Sequence, residues 1–141
     1  MISLGTQIAG VWTDNDDLAN ELESVSKVTK DNTWRMPMAK EYMEQLDSKF
    51  ADVKNIGARY GGAITAALFL TKFVSPKKPF AHIDIAGACP QLRLFCTHRL
   101  SLNKFCFHLA GPVWSEKEGS ATGFGSKLVQ EWVRRQGIKS K

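Results

Sequence analysis

Two apolar segments separated by only five residues leave this chain little choice of architecture. Residues 63–74, AITAALFLTKFV, are apolar almost all round. A surface helix shows one apolar stripe, so this pattern belongs to a helix buried between layers. Residues 80–86, FAHIDIA, form a short apolar run of the kind found in a buried strand of a parallel sheet. The basic, proline-containing stretch at 75–79 reads as the loop between them. A buried helix followed closely by a buried strand argues for an α/β fold with helices on both faces of the sheet.

The remaining segments fit that frame. Residues 1–13 are mixed and apolar, with Gly5 and Gly10. Residues 14–29 predict a helix. Leu18, Leu22, Val25 and Val28 recur at helical spacing, and the acidic cluster at 14–17 suits an N-terminus. A second helix is expected over 38–50, with Ala39, Tyr42, Met43, Leu46 and Phe50 on one face and Pro37 just before it. Residues 51–56 read as a short strand and 57–62 as a glycine-rich turn. Thr122 caps a last helix that buries Phe124, Leu128, Val129, Trp132 and Val133. Arg134 and Arg135 lie in its last turn, and Gly137 ends it.

A chain of 141 residues supports one domain with a modest core. No apolar run approaches the roughly 20 residues that span a bilayer, and no basic region followed by a short apolar stretch opens the chain. Neither a membrane nor a secretory route is indicated, which leaves the cytoplasm as the expected location. The net charge of +5 suggests nucleic acid, but Arg93, Arg99 and Lys104 contribute three of those charges within the acid-free block 88–111. These cations belong to no recognisable nucleic-acid motif, so no nucleic-acid partner is expected.

Candidate ligands are sparse. His82 and Asp84 alternate on one strand and face the same way. Two ligands do not make a metal site, and a buried hydrogen-bonded pair is the simpler reading. Gly57, Gly61 and Gly62 precede a helix, as phosphate-binding glycines do, but match no P-loop and read as a tight turn. Block 88–111 also holds Cys96-Thr-His98 and Cys106-Phe-His108. Four ligands of the right type suit zinc, yet one intervening residue is cramped for two ligands on one ion.

Five stretches, in order, resemble the catalytic domain of the leucine (cytosol) aminopeptidase family. They are residues 3–29, WRMPM at 34–38, NIGARYGGAITAALFLTKFV at 55–74, HIDIAG at 82–87 and PVWSEKEGSATGFGSKLVQEWV at 112–133. The resemblance implies a partial three-layer sheet with helices on both faces, the C-terminal fragment of that domain. It implies a metal-dependent enzyme that removes N-terminal residues from peptides, using two divalent metals, zinc or manganese, in a homohexamer. Bound metal lowers the pKa of the attacking water and polarises the peptide carbonyl.

The family's metal ligands and catalytic Arg come from a Lys- and Asp-bearing stretch and from the motif Asn-Thr-Asp-Ala-Glu-Gly-Arg. A separate Lys acts as electrophile. That motif does not occur in this sequence. The chain reads as starting late in the domain, so no catalytic and no metal-ligating residue is expected in it, and a plastid address could have been lost. The resemblance places Ile56, Ala86 and Trp114 where the family lines the pocket for the substrate's N-terminal side chain, although all three also read as core residues. The alternative function is a non-catalytic subunit that joins full-length hexamers.

In the family the strand ending in IAG runs directly into PVW or a similar tripeptide. Here residues 88–111 intervene between the family-like parts 1–87 and 112–136. The junction of Gly87 and Ala88 can encode GT, and Ala110 with Gly111 can encode AG. The block reads as a retained intron, expected as a projecting, structureless loop.

Overall fold

The computed structural model describes residues 4–5, 7–85 and 123–138, with the backbone of 96–102, 105–111, 114–115, 120–121 and 139. Five strands form one mixed sheet in the order β2-β1-β3-β5-β4, where β1 is Ala9–Trp12, β2 Thr33–Met36, β3 Phe80–Asp84, β4 Cys96–Leu102 and β5 Phe105–Gly111. β1 runs parallel to β2 and antiparallel to β3, and β3 runs parallel to β5. The parallel sheet expected from FAHIDIA is therefore mixed. Two short strands, β6 (Trp114–Ser115) and β7 (Ser120–Ala121), pair separately.

The first crossover helix, α1 (Asp16–Thr29), joins β1 to β2. The Asn15 side chain accepts from the Leu18 N–H at 2.7 Å and so satisfies one of the free donors at its start. The acidic residues foreseen there, Asp16 and Asp17, sit in the first turn. Lys30 closes the helix in the left-handed conformation, φ 64°. Leu18, Leu22 and Val25 are buried as their spacing demands, but Val28 is 63% exposed. At 3.6 residues per turn Val28 points about 80° away from Leu18, off the edge of the apolar stripe.

The helix expected over 38–50 shortens to a 3-10 helix, Lys40–Leu46, of which only Leu46 is buried. Ser48 explains the stop. Its hydroxyl accepts from the backbone N–H groups of Phe50 and Ala51, offering the chain a turn in place of the helix. Phe50 is consequently fully exposed, and no strand forms at 51–56.

Helix α2 (Gly62–Thr71) follows. Thr65, Ala67 and Leu68 are buried, but Ala66 is exposed and the other flank half-covered, so α2 is not enclosed all round among the described residues. The last helix, α3 (Ser126–Lys139), buries Leu128 and Trp132. Val133 is 38% exposed and Gly137 lies within the helix instead of ending it. The foreseen cap, Thr122, lies outside the described residues.

One core joins these parts. Ala9 and Val11 of β1 and Ala81, Ile83 and Ile85 of β3 and its end meet α1 and α3 through Leu18, Leu22, Val25, Leu128 and Trp132. Val11 stands opposite Ile83 in the register, so both point to this face. Trp12 and His82, also paired, point to the other face, with ring centroids 5.7 Å apart. Midway along α3 the guanidinium groups of Arg134 and, next, Arg135 hold the Glu131 carboxyl down to about 2. A carboxyl lowered in this way stabilises the fold above the ordinary carboxylate range, and that contribution fades as pH falls toward its folded value.

The described parts of 88–111, residues 96–102 and 105–111, differ from the loop expected of them. The backbone of 96–102 and that of 105–111 form two antiparallel strands, and β5 pairs with β3 from Phe80↔Cys106 to Asp84↔Ala110. The physical reason is the unpaired edge that β3 would otherwise present, a strong template for any extended segment.

Candidate functional site

The motif NIGARYGG leads from the 3-10 helix into α2, and its glycines have separate reasons. A Cβ on Gly57 would lie 2.7 Å from the Thr65 methyl carbon and 2.9 Å from its hydroxyl, so only glycine lets the loop approach α2 this closely. Gly61 adopts φ 74°, the left-handed conformation, as the residue before the helix. The loop is further tied by Gln45, whose side-chain oxygen accepts from the Ala58 N–H at 2.9 Å, and by the Lys54 N–H to the Leu46 carbonyl at 2.8 Å. This is the tight turn expected at 57–62.

Ile56 rides on this anchored loop with its side chain 75% exposed. That overturns its reading as a core residue and leaves it a surface position. β3 carries the chain past the half-buried Asp84, opposite Gly10, to the buried Ile85. Ala86, the next residue, lies outside the described residues. Trp114 is placed by its backbone alone, opposite Ala121 in the β6–β7 ribbon, and its ring lies outside the described residues. Of the three predicted pocket residues, Ile56 is therefore the one whose side chain lies among the described residues.

His82 is 2% exposed and packs against Trp12. Among the described residues no three His, Cys, Asp or Glu side chains lie together to hold a metal ion. Between β4 and β5 the register sets His98 opposite Leu109 and Cys106 opposite Ser101, so no cysteine or histidine faces another across the pair. The side chains of Cys96, His98, Cys106 and His108 lie outside the described residues.

Two features escaped the sequence reading. Asp31, only 8% exposed, reaches across the fold, and one of its carboxylate oxygens accepts from the N–H groups of Gly125 and Leu128, both at 3.1 Å. It caps α3 from 94 residues away in sequence. Ser26 supports it by donating to the Asp31 carbonyl at 2.8 Å and accepting from the Thr33 N–H at 3.0 Å. The second is an open groove of about 690 Å³ where β1 and β2 end and β3 begins. No local signal marks either, because each is assembled from distant segments.

A model of the cytosol aminopeptidase family catalytic domain matches residues 1–129. The chain belongs to the cytosol aminopeptidase family. A probable cytosol aminopeptidase of Prochlorococcus marinus is 39% identical over 141 residues, covering 96% of this chain and 24% of that protein. The chloroplastic neutral leucine aminopeptidase of Solanum lycopersicum is 42% identical over 133 residues, covering 94% of this chain and 19% of that protein. A solved structure of a tomato leucine aminopeptidase mutant superposes with a TM-score of 0.74 at 38% identity, over 96% of this chain and 22% of that one. The aminopeptidase fold expected from the five motifs is therefore present, and the chain spans a quarter or less of the length of these relatives. Both cytosol and chloroplastic proteins occur among them. No helix among the described residues is long and apolar enough to cross a membrane.

Proposed function

We propose that this chain is a part of a metal-dependent aminopeptidase catalytic domain that lines the pocket for a peptide's N-terminal side chain and has no hydrolytic activity alone. The carrying observation is the family match over residues 1–129 in a sequence that contains no Asn-Thr-Asp-Ala-Glu. Two zinc or manganese ions would supply the attacking hydroxide in the intact family. The described side chains do not fit such a pair, so no step through a metal is derived for them. Ile56, Ala86 and Trp114 are the pocket residues of this reading, peptides its substrates, and the cytoplasm or a plastid its location.

A second reading is a non-catalytic subunit that joins aminopeptidase hexamers. The exposed Trp34, Phe50, Ile56 and Tyr60 favour it, since large apolar side chains at a surface mark places where other protein is expected to pack. Two experiments test these readings in turn. The purified chain, given leucine p-nitroanilide with zinc, manganese or magnesium, should release no p-nitroaniline above the blank. A metal-dependent rate abolished by a chelator overturns the first reading. Co-elution with a full-length aminopeptidase on size exclusion supports the second, and separate elution overturns it.

Within the proposal, residues 88–111 are an insertion between family-like segments, left by a retained intron. Sequencing of transcripts across codons 87–112 should yield a shorter species joining Gly87 to Pro112. Transcripts that all carry the block would overturn this origin.

A further inference from the structure

The groove at the end of the sheet has a composition that the aminopeptidase reading does not use. Its volume of about 690 Å³ lies within the range of sites that take small ligands or short peptide segments. Met38, Met43, Leu68, Val74 and Phe80 give it an apolar lining. Two of these are methionines, whose unbranched side chains adapt to differently shaped partners.

The groove is bordered by cations. Lys40 lies 3.0 Å from Asp14, which answers its charge. Lys77 and Lys78 line the groove from the loop 75–79, and neither has a carboxylate within ion-pair distance among the described residues. That loop is stiff. Pro76 and Pro79 restrict its backbone, and the Lys78 N–H closes a turn onto the Ser75 carbonyl at 2.9 Å. Two unanswered positive charges are therefore presented on a fixed turn beside an apolar trough. The complement of that surface is an apolar segment flanked by carboxylates.

We propose that this groove docks a short acidic-apolar peptide segment of a partner protein, its apolar side chains entering between Met43 and Phe80 and its carboxylates meeting Lys77 and Lys78. The inference stands independently of the proposed enzymatic role, because the groove lies at the start of β3, at the opposite end of the strand from Ile85.

Fluorescence anisotropy on the full chain tests it, with a fluorescein-labelled peptide Glu-Glu-Leu-Asp-Phe-Leu-Glu-Glu and a control in which every acid is replaced by its amide. The acidic peptide should bind about tenfold more tightly than the amide control at low salt, and most of that advantage should vanish near 1 M salt, where screening is short-ranged. The double variant Lys77→Gln/Lys78→Gln, on an exposed loop, should remove the preference while leaving the circular dichroism spectrum unchanged. Met43→Glu should weaken both peptides. Equal affinity for the two peptides overturns the proposal, as does a preference that survives in the double variant. Tighter binding of duplex DNA or anionic phosphatidylserine vesicles than of the acidic peptide also overturns it, since the lysines would then serve a different partner.

Discussion

Trp132→Ala should destabilise the chain by about 3–5 kcal/mol, the usual cost of removing a large aromatic side chain from a packed core. Trp132 is 1% exposed and is, with Leu128, one of the two buried residues that α3 contributes to the common core. Truncation leaves a cavity in the core shared with α1, beside Val25, and the atoms around it lose packing partners. It also removes a hydrogen bond, since the indole Nε1 donates to Glu21 Oε2 at 3.0 Å. Glu21 would keep its second donor, Gln136 Nε2, at 2.7 Å. Trp132→Phe separates the two effects. It retains much of the ring volume and loses the polar contact, so it should cost about 1–2 kcal/mol plus a smaller packing loss. Urea unfolding followed by circular dichroism reads both. Since a domain's total stability is only about 5–15 kcal/mol, Trp132→Ala should shift the midpoint far toward zero denaturant. A midpoint equal to that of the parent chain would show that α3 does not hold the core as described.

Asp31→Ala comes next, at about 2–3 kcal/mol. The substitution deprives two backbone donors, Gly125 and Leu128, of a charged acceptor at a buried helix start. A carboxylate there also interacts favourably with the positive end of the helix dipole. Asp31→Asn keeps an oxygen in place but loses the charge, and should cost about half as much. Hydrogen exchange locates the effect. Amides 125–128 should lose protection in Asp31→Ala while those of β1 and β3 keep theirs. If amides 125–128 exchange at the parent rate, the cap contributes nothing and α3 is fixed by packing alone.

Both predictions depend on contacts between segments about a hundred residues apart, and that is where sequence and structure part. The helix over 14–29 was legible because Leu18, Leu22 and Val25 state its buried face and the polar residues before them state its start. FAHIDIA was legible as a buried strand because a continuous apolar run of that length suits little else. The stop after Leu46 was not legible. The apolar spacing through Phe50 fits a longer helix, and a hydroxyl at Ser48 competes for the backbone only once the local turn exists. Of the candidate site, the turn at 57–62 was legible, whereas Ile56 proved exposed, since an apolar residue in a loop carries no mark of what will cover it.

The order and direction of the strands lay outside the sequence altogether. Each strand's apolar pattern reports burial but not its neighbours, so a parallel sheet and the mixed sheet actually formed write similar sequences. The amino-acid sequence determined the class of fold, its family and the lack of the family's acidic metal motif. Only the tertiary structure decided that β3 would run antiparallel to β1, that Asp31 would cap α3, and that Lys77 and Lys78 would border an apolar groove. The physical reason is that local propensity acts through neighbours a few residues apart, while these three features join groups that the chain brings together only when the core closes.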